Sequence, residues 1–240
     1  MKIAIDGPAA SGKSTLGEAL AARLGYLYFD TGVMYRAITL AAIQQHIDIR
    51  DEAALNALAR QVNIEVTPPH VHDGRQYSVW LNGTDVTWQL RQPQIDANVS
   101  IPSTYPGVRQ EMVRQQRLIA EKGNVVMVGR DIGTVVLPDA DLKIYLDATV
   151  EERAMRRHRQ ALARSESSDY TSILAAMRKR DLLDSSREFS PLRAASDAVI
   201  IDSTGHAITE IISRVMQIIA MHGTGTGNVA SGRAQSVTPG

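Results

Sequence analysis

The chain has 240 residues, with 26 basic and 26 acidic side chains and a formal net charge of zero. That balance argues against a general nucleic-acid binder or a polybasic membrane-surface protein, because both need surplus positive charge. Cysteine is absent, which excludes disulfides and cysteine-based metal sites. No apolar run approaches a membrane span, and the stretch before Asp6 is too short and too soon interrupted for a secretory signal, so a cytoplasmic location is expected. The basic side is lopsided, with 21 Arg against 5 Lys. Arg carries a planar fork of donors suited to phosphate and carboxylate, whereas Lys is a flexible point charge.

Short apolar runs alternate with amphipathic stretches along the chain. Strands are expected at Lys2–Asp6, Tyr26–Asp30, Val125–Val128, Leu142–Asp147 and Ala198–Asp202, each rich in Val, Ile, Leu or Tyr. Helices are expected at Lys13–Leu24, Val33–His46, Asp51–Gln61, Val108–Glu121, Val150–Ala163, Tyr170–Arg187 and Ile208–Met221. In the last, Ile208, Ile211, Ile212, Val215, Ile218 and Ile219 fall on one stripe. Strands alternating with helices mean βαβ units and a mainly parallel sheet covered on both faces.

Between Asn63 and Thr87 the rhythm changes. Ile64-Glu65-Val66-Thr67 and Tyr77-Ser78-Val79-Trp80-Leu81 alternate, with Asp73-Gly74 and Asn82-Gly83 as turn dipeptides. That pattern predicts antiparallel hairpins, a small β insertion on the α/β core packed by Trp80 and Trp88. His70 and His72 lie there without a further ligand cluster, so a solvated hairpin outweighs a metal site. Residues 223–240, rich in Gly, Ser and Thr, are expected to form a disordered tail after a domain spanning 1–222.

Gly7-Pro8-Ala9-Ala10-Ser11-Gly12-Lys13-Ser14, followed by Thr15, matches the P-loop pattern between an expected strand and an expected helix. Glycine lets the backbone curl so that successive N–H groups point at phosphate oxygens, and the helix N-terminus adds its positive dipole end. Lys13 is placed to reach the β- and γ-phosphates, and the Ser14 hydroxyl to ligate Mg²⁺. No Asn-Lys-x-Asp guanine-reading motif occurs, and the chain is small for a motor or transporter ATPase. A small P-loop kinase leads, and its acceptor site has to come from elsewhere.

Arginines supply candidates at the same sheet edge, where open α/β folds bind ligands. Arg36 follows Asp30-Thr31-Gly32 after the second strand; alone, it also reads as a solvated surface residue. Arg130 and Asp131, in Gly129–Thr134, read either as an ion pair or as an anion ligand beside a carboxylate able to accept from an exocyclic amine of a base. Arg153, Arg156 and Arg157 share a helix face, which suits an anion-binding lid or, with Glu151 and Glu152 near, a solvated face. Arg180, Asp184 and Arg187 share another face, where an intrahelical ladder is the plain reading.

Together these residues resemble the bacterial cytidylate kinases. The resemblance spans roughly residues 2–220. It rests on Gly7–Thr15, Asp30-Thr31-Gly32 with Tyr35-Arg36, Gly83-x-Asp85-Val86, Ser100 with Val108-Arg109, and Gly129–Thr134. Glu152-Arg153-Ala154 with Arg156-Arg157, and Arg180-Asp181 with Asp184, Arg187 and Ser190-Pro191-Leu192, complete it. It implies a P-loop nucleoside monophosphate kinase with a five-stranded parallel core, a nucleotide-monophosphate-binding region over about 31–110 that includes the β insertion at 63–87, and a lid over about 150–168. It implies ATP and CMP or dCMP as substrates, Mg²⁺ as cofactor, and a monomer with no membrane or nucleic-acid-polymer partner. Thr31, Arg109, Asp131 and Arg187 would face cytosine or the acceptor phosphate, and Ser100, Arg180 and Asp184 the ribose side. Arg36 and Arg130 would hold the acceptor phosphate, while Arg153, Arg157 and Arg156 close on the ATP phosphates. Lys13, Arg130, Arg153 and Arg157 would be catalytic. Two positions depart from the family's pattern: Thr31 replaces the common Ser but keeps its hydroxyl, and Val128 stands where an acid often precedes Gly-Arg-Asp. The second leaves Ser14, water and Asp30 to organise the metal. Readings kept open beside this one are another small P-loop kinase acting on UMP or a different small acceptor, and a non-catalytic nucleotide-binding switch.

Overall fold

The computed structural model describes residues 1–165 and 167–225. Five strands, β1 (Lys2–Asp6), β2 (Leu27–Asp30), β6 (Val125–Val128), β7 (Leu142–Asp147) and β8 (Val199–Asp202), form one sheet in the order β2-β6-β1-β7-β8. Every pairing in it is parallel. β6 lies between β2 and β1, so two chain-distant strands bring the loops after Asp6, Asp30 and Val128 to one edge.

Because side chains alternate along a strand, the sheet feeds two cores. Ala4, Phe29, Val125 and Met127 face one side, with α2 (Gly32–Gln44), α3 (Glu52–Gln61) and α5 (Pro106–Glu121). Ile3, Ile5, Val126, Val128, Ile144 and Leu146 face the other, with α1 (Lys13–Leu24) and α8 (Ile208–Gly225). The isoleucine stripe expected near the C-terminus is that second contact: Ile211, Ile212, Val215 and Ile219 are buried. α8 continues past the expected boundary at 222, and 226–240 of the expected tail lie outside the described residues. Position 166 of the expected lid span does so too.

The insertion is a three-stranded antiparallel sheet of β3 (Ile64–Thr67), β4 (Ser78–Leu81) and β5 (Thr84–Asp85). Asn82 and Gly83 both have positive φ, 51° and 79°, as a tight two-residue hairpin turn requires. Ile64, Val66, Val79 and Leu81 join the first core, so the insertion is fastened to the body of the domain. Gln115 of α5 fixes its first strand by accepting from the Ile64 N–H and donating to the Val62 carbonyl, both at 2.9 Å. Trp80 stacks near His70, whose ring also bonds Ser78. Trp88, by contrast, lies on the surface, with Arg91 over its ring and its indole N–H donating to Asp73. Four short elements were not expected from the sequence: α4 (Pro93–Asn98), 3-10 turns at Gln89–Arg91 and Pro102–Thr104, and a single π-helical turn at Ile132–Val136.

Candidate active site

The P-loop joins β1 to α1. Gly7 has φ 149°, and a Cβ there would sit 2.1 Å from the Leu146 carbonyl oxygen, so only glycine fits. Gly12, at φ 99°, leads into α1 without a side-chain cap, leaving the first helical N–H groups for a ligand. Lys13 is buried and donates to the Pro8 carbonyl at 2.6 Å. Burial first, then the charge of Arg130, hold its ammonium well below the ordinary lysine value. The P-loop lysine therefore senses an arginine from the far side of the cleft. The Ser14 hydroxyl lies 3.2 Å from an Asp30 carboxylate oxygen.

The acceptor-side candidates converge on Asp184, near the end of α7 (Tyr170–Ser185). It is 3% exposed. One of its oxygens takes the Arg130 Nε at 3.1 Å, the other pairs with Arg187, and Arg180 Nε stands 4.0 Å away. Arg187 lies just past the helix end, so the expected ladder is a hub drawing in a residue from another loop instead. Crowding by the surrounding protein, then the charge of Arg130, hold the Arg180 guanidinium below its ordinary value even though its side chain is 61% exposed; Arg187 and Arg36 act the same way. One carboxylate cannot neutralise three guanidinium groups, and the surplus favours an anion.

Arg130 and Asp131 do not pair with each other. Asp131 instead takes a 2.6 Å bond from Arg109 of α5, with both side chains buried. The Arg109 guanidinium lies 5.5 Å over the Tyr35 ring, and its Nε is buried without a partner. Thr31 is buried and its hydroxyl donates to the Val128 carbonyl. A Cβ on Gly129 would come within 2.7 Å of that hydroxyl, which accounts for glycine there. Arg36 is tied to the Leu90 carbonyl and to Asp96 of α4. Ser100 is exposed beyond α4, and its side chain is not bonded to Arg180 or Asp184.

The three arginines of α6 (Val150–Ala163) fan apart. Arg153 is buried, forked on Asp181 of α7 at 2.5 and 3.1 Å, and donates to the Ala9 carbonyl of the P-loop. Arg156 donates to the Ser11 carbonyl and to Ser203 beyond β8. Arg157 is exposed and bonds Gln160 of its own helix. Ser203 and Asp6 are participants that sequence reasoning missed, and Asp181 stood there only as part of a motif, with no role of its own. Asp6 ends β1, and its carboxylate accepts the Ile132 and Gly133 N–H groups at 2.7 Å each. Burial pushes its carboxyl up to about 6 against the pull of those two amides.

The P-loop and the arginines gathered at Asp184 thus lie at the same end of one parallel sheet. The cytidylate kinase family signature matches residues 3–221. The chain belongs to the cytidylate kinase family. A cytidylate kinase of Chloroflexus aggregans is 54% identical over 214 residues, 89% of this chain and 91% of that protein. One from Roseiflexus castenholzii is 51% identical over 91% of this chain and 93% of its own length, and one from Bacillus subtilis is 46% identical over 91% and 96%. The fold is also similar to a solved, uncharacterized protein of Eubacterium ventriosum, with a TM-score of 0.52 at 12% identity, covering 92% of this chain and 98% of that one. The expected five-stranded parallel core and antiparallel insertion of a cytidylate kinase are both present. Among the described residues no helix is long and apolar enough to cross a membrane.

Proposed function

We propose that the chain transfers the γ-phosphoryl group of ATP to CMP, giving ADP and CDP, and accepts dCMP as well. The observation that carries this is the hub at Asp184: Arg130, Arg180 and Arg187 gather there, close enough for Arg130 and Arg180 to depress the ammonium of the P-loop Lys13. Donor and acceptor phosphates would meet between them. Asp131 is a buried carboxylate of the kind that accepts from the cytosine amine, and the orphaned Arg109 Nε beside it is a donor lacking an acceptor.

The acceptor is a phosphate oxygen that is already anionic near neutral pH, so no strong general base is required. The difficulty is bringing two polyanions into line, and positioning with charge neutralisation supplies most of the catalysis. Lys13 and the open N–H groups of α1 would hold the donor phosphates. Arg130 and Arg187 would hold the acceptor phosphate, with Arg36 at its flank. Arg180, Asp184 and Ser100 are assigned to the ribose side, and Thr31, Arg109 and Asp131 to the base. The α6 arginines divide by commitment. Arg153 and Arg156 brace the P-loop backbone, while Arg157 is free to swing onto ATP when the lid closes and excludes water.

Mg²⁺ takes one or two protein oxygens and keeps phosphate and water for the rest of its shell. The Ser14 hydroxyl beside the Asp30 carboxylate suits that habit, although among the described residues no three His, Asp or Glu side chains form a metal cluster. Bound there, the ion would offset charge on the β- and γ-phosphates.

The reading is tested by ADP release with ATP alone and with CMP, dCMP, UMP, AMP or shikimate added. Release that depends on CMP and dCMP is expected. Faster turnover of UMP or shikimate would transfer the chain to another acceptor, and ATP hydrolysis indifferent to every acceptor would make it a nucleotide-binding switch.

A further inference from the structure

Asp6 is buried at 3% exposure, yet neither reactant phosphate site described above uses it. Its two oxygens accept the N–H groups of Ile132 and Gly133, the residues that follow Arg130 and Asp131. Those amides open the π-helical turn Ile132–Val136, and the first N–H groups of any helical turn lack partners within it. The residue normally expected to cap them is the one at the N-cap, Asp131. Here Asp131 makes no such cap; its carboxylate turns to Arg109 instead. A carboxylate from a different strand has taken over the capping.

We infer that Asp6 is a positioning residue for the acceptor nucleotide: by capping the turn from β1, it frees the Asp131 carboxylate for Arg109 and the base. This rests on the CMP site proposed above. Lys13 and Asp131 are the charged groups that face Asp6, and Lys13 makes no ion pair with it, its ammonium bonding the Pro8 carbonyl. The hydrogen bonds of Asp6 thus go to the acceptor loop, while the Lys13 ammonium feels its charge without a bond. The same junction is crowded from the other side. A Cβ on Gly133 would lie 3.3 Å from an Asp6 oxygen and 3.1 Å from the Lys143 Cδ, so the glycine and the carboxylate fit as a pair.

The test is Asp6→Asn, which keeps the shape but offers only one acceptor where two amides point. The expected result is a KM for CMP raised about tenfold or more, a much smaller rise in the KM for ATP, and a melting temperature at neutral pH not below that of wild type. Gly133→Ala, which presses on the same contact, should show the same split and carries the test if Asp6→Asn does not fold. Parallel increases in both KM values, or none in either, would overturn the inference. Amide exchange in the protein without nucleotide separates this inference from the functional reading beneath it. If wild type fails to use CMP, faster exchange at Ile132 and Gly133 in Asp6→Asn still supports the cap, and unchanged exchange overturns it.

Discussion

Lys13 shows how a single side chain is set for phosphate. Burial and the nearby guanidinium of Arg130 disfavour its charge, so a triphosphate arriving in the cradle would remove an existing electrostatic cost. Lys13→Ala should therefore leave the fold intact while turnover falls by two or more orders of magnitude, as judged by circular dichroism and ADP release; near-native turnover would remove the P-loop from the mechanism. Asp6 makes the converse trade. Its carboxyl is raised from 3.8 to about 6, so between about pH 4 and 6 the folded chain holds more protons at this site than the unfolded chain. Stability relative to Asp6→Asn should then fall as pH rises through that window, by on the order of 3 kcal/mol, and level off above it. Denaturant titrations of both proteins at pH 4, 5, 6 and 7 check the sign; a difference that grows with pH would refute it. A residue that costs stability at neutral pH while steering a ligand loop fits a common compromise between function and stability.

At the scale of elements, α6 is held by its arginines. Asp181 carries the fork of Arg153, which in turn reaches the Ala9 carbonyl of the P-loop. Asp181→Asn should loosen α6 from both α7 and the P-loop, at a cost of about 1–3 kcal/mol for a half-desolvated pair. The KM for ATP should rise more than that for CMP in initial-rate kinetics. An effect confined to CMP would mean that α6 serves the acceptor instead. The β insertion behaves differently, because Gln115 and four buried apolar residues attach it to the first core. Much of this organisation was legible in the sequence. Periodicity gave the five strands of the parallel sheet and, among the described residues, seven of the eight α-helices to within a few residues, and Asn82-Gly83 marked a hairpin whose φ values agree. α4 escaped because six residues are too few to display a period.

Over the whole molecule, the parallel order β2-β6-β1-β7-β8 explains what sequence could and could not convey. Lys13 and Ser14 announce themselves because their motif is contiguous. Asp6 does not, since its partners lie 126 and 127 positions along the chain and meet it only because β6 pairs beside β1. The Arg130–Asp184 contact spans 54 positions and depends on α7 folding back over the same edge. Spacing on a single helix suggested a local ladder, whereas tertiary packing drew the carboxylate toward a loop arginine. The zero net charge hides a local surplus: Arg130, Arg180 and Arg187 share the single carboxylate of Asp184.

If the arginines at Asp184 form an acceptor site separate from the P-loop, removing one of them should spare ATP. Initial-rate kinetics of Arg187→Ala, varying CMP and ATP in turn, test it most directly. The KM for CMP should rise at least about tenfold, with the KM for ATP within twofold of wild type. Equal losses for both nucleotides would contradict it.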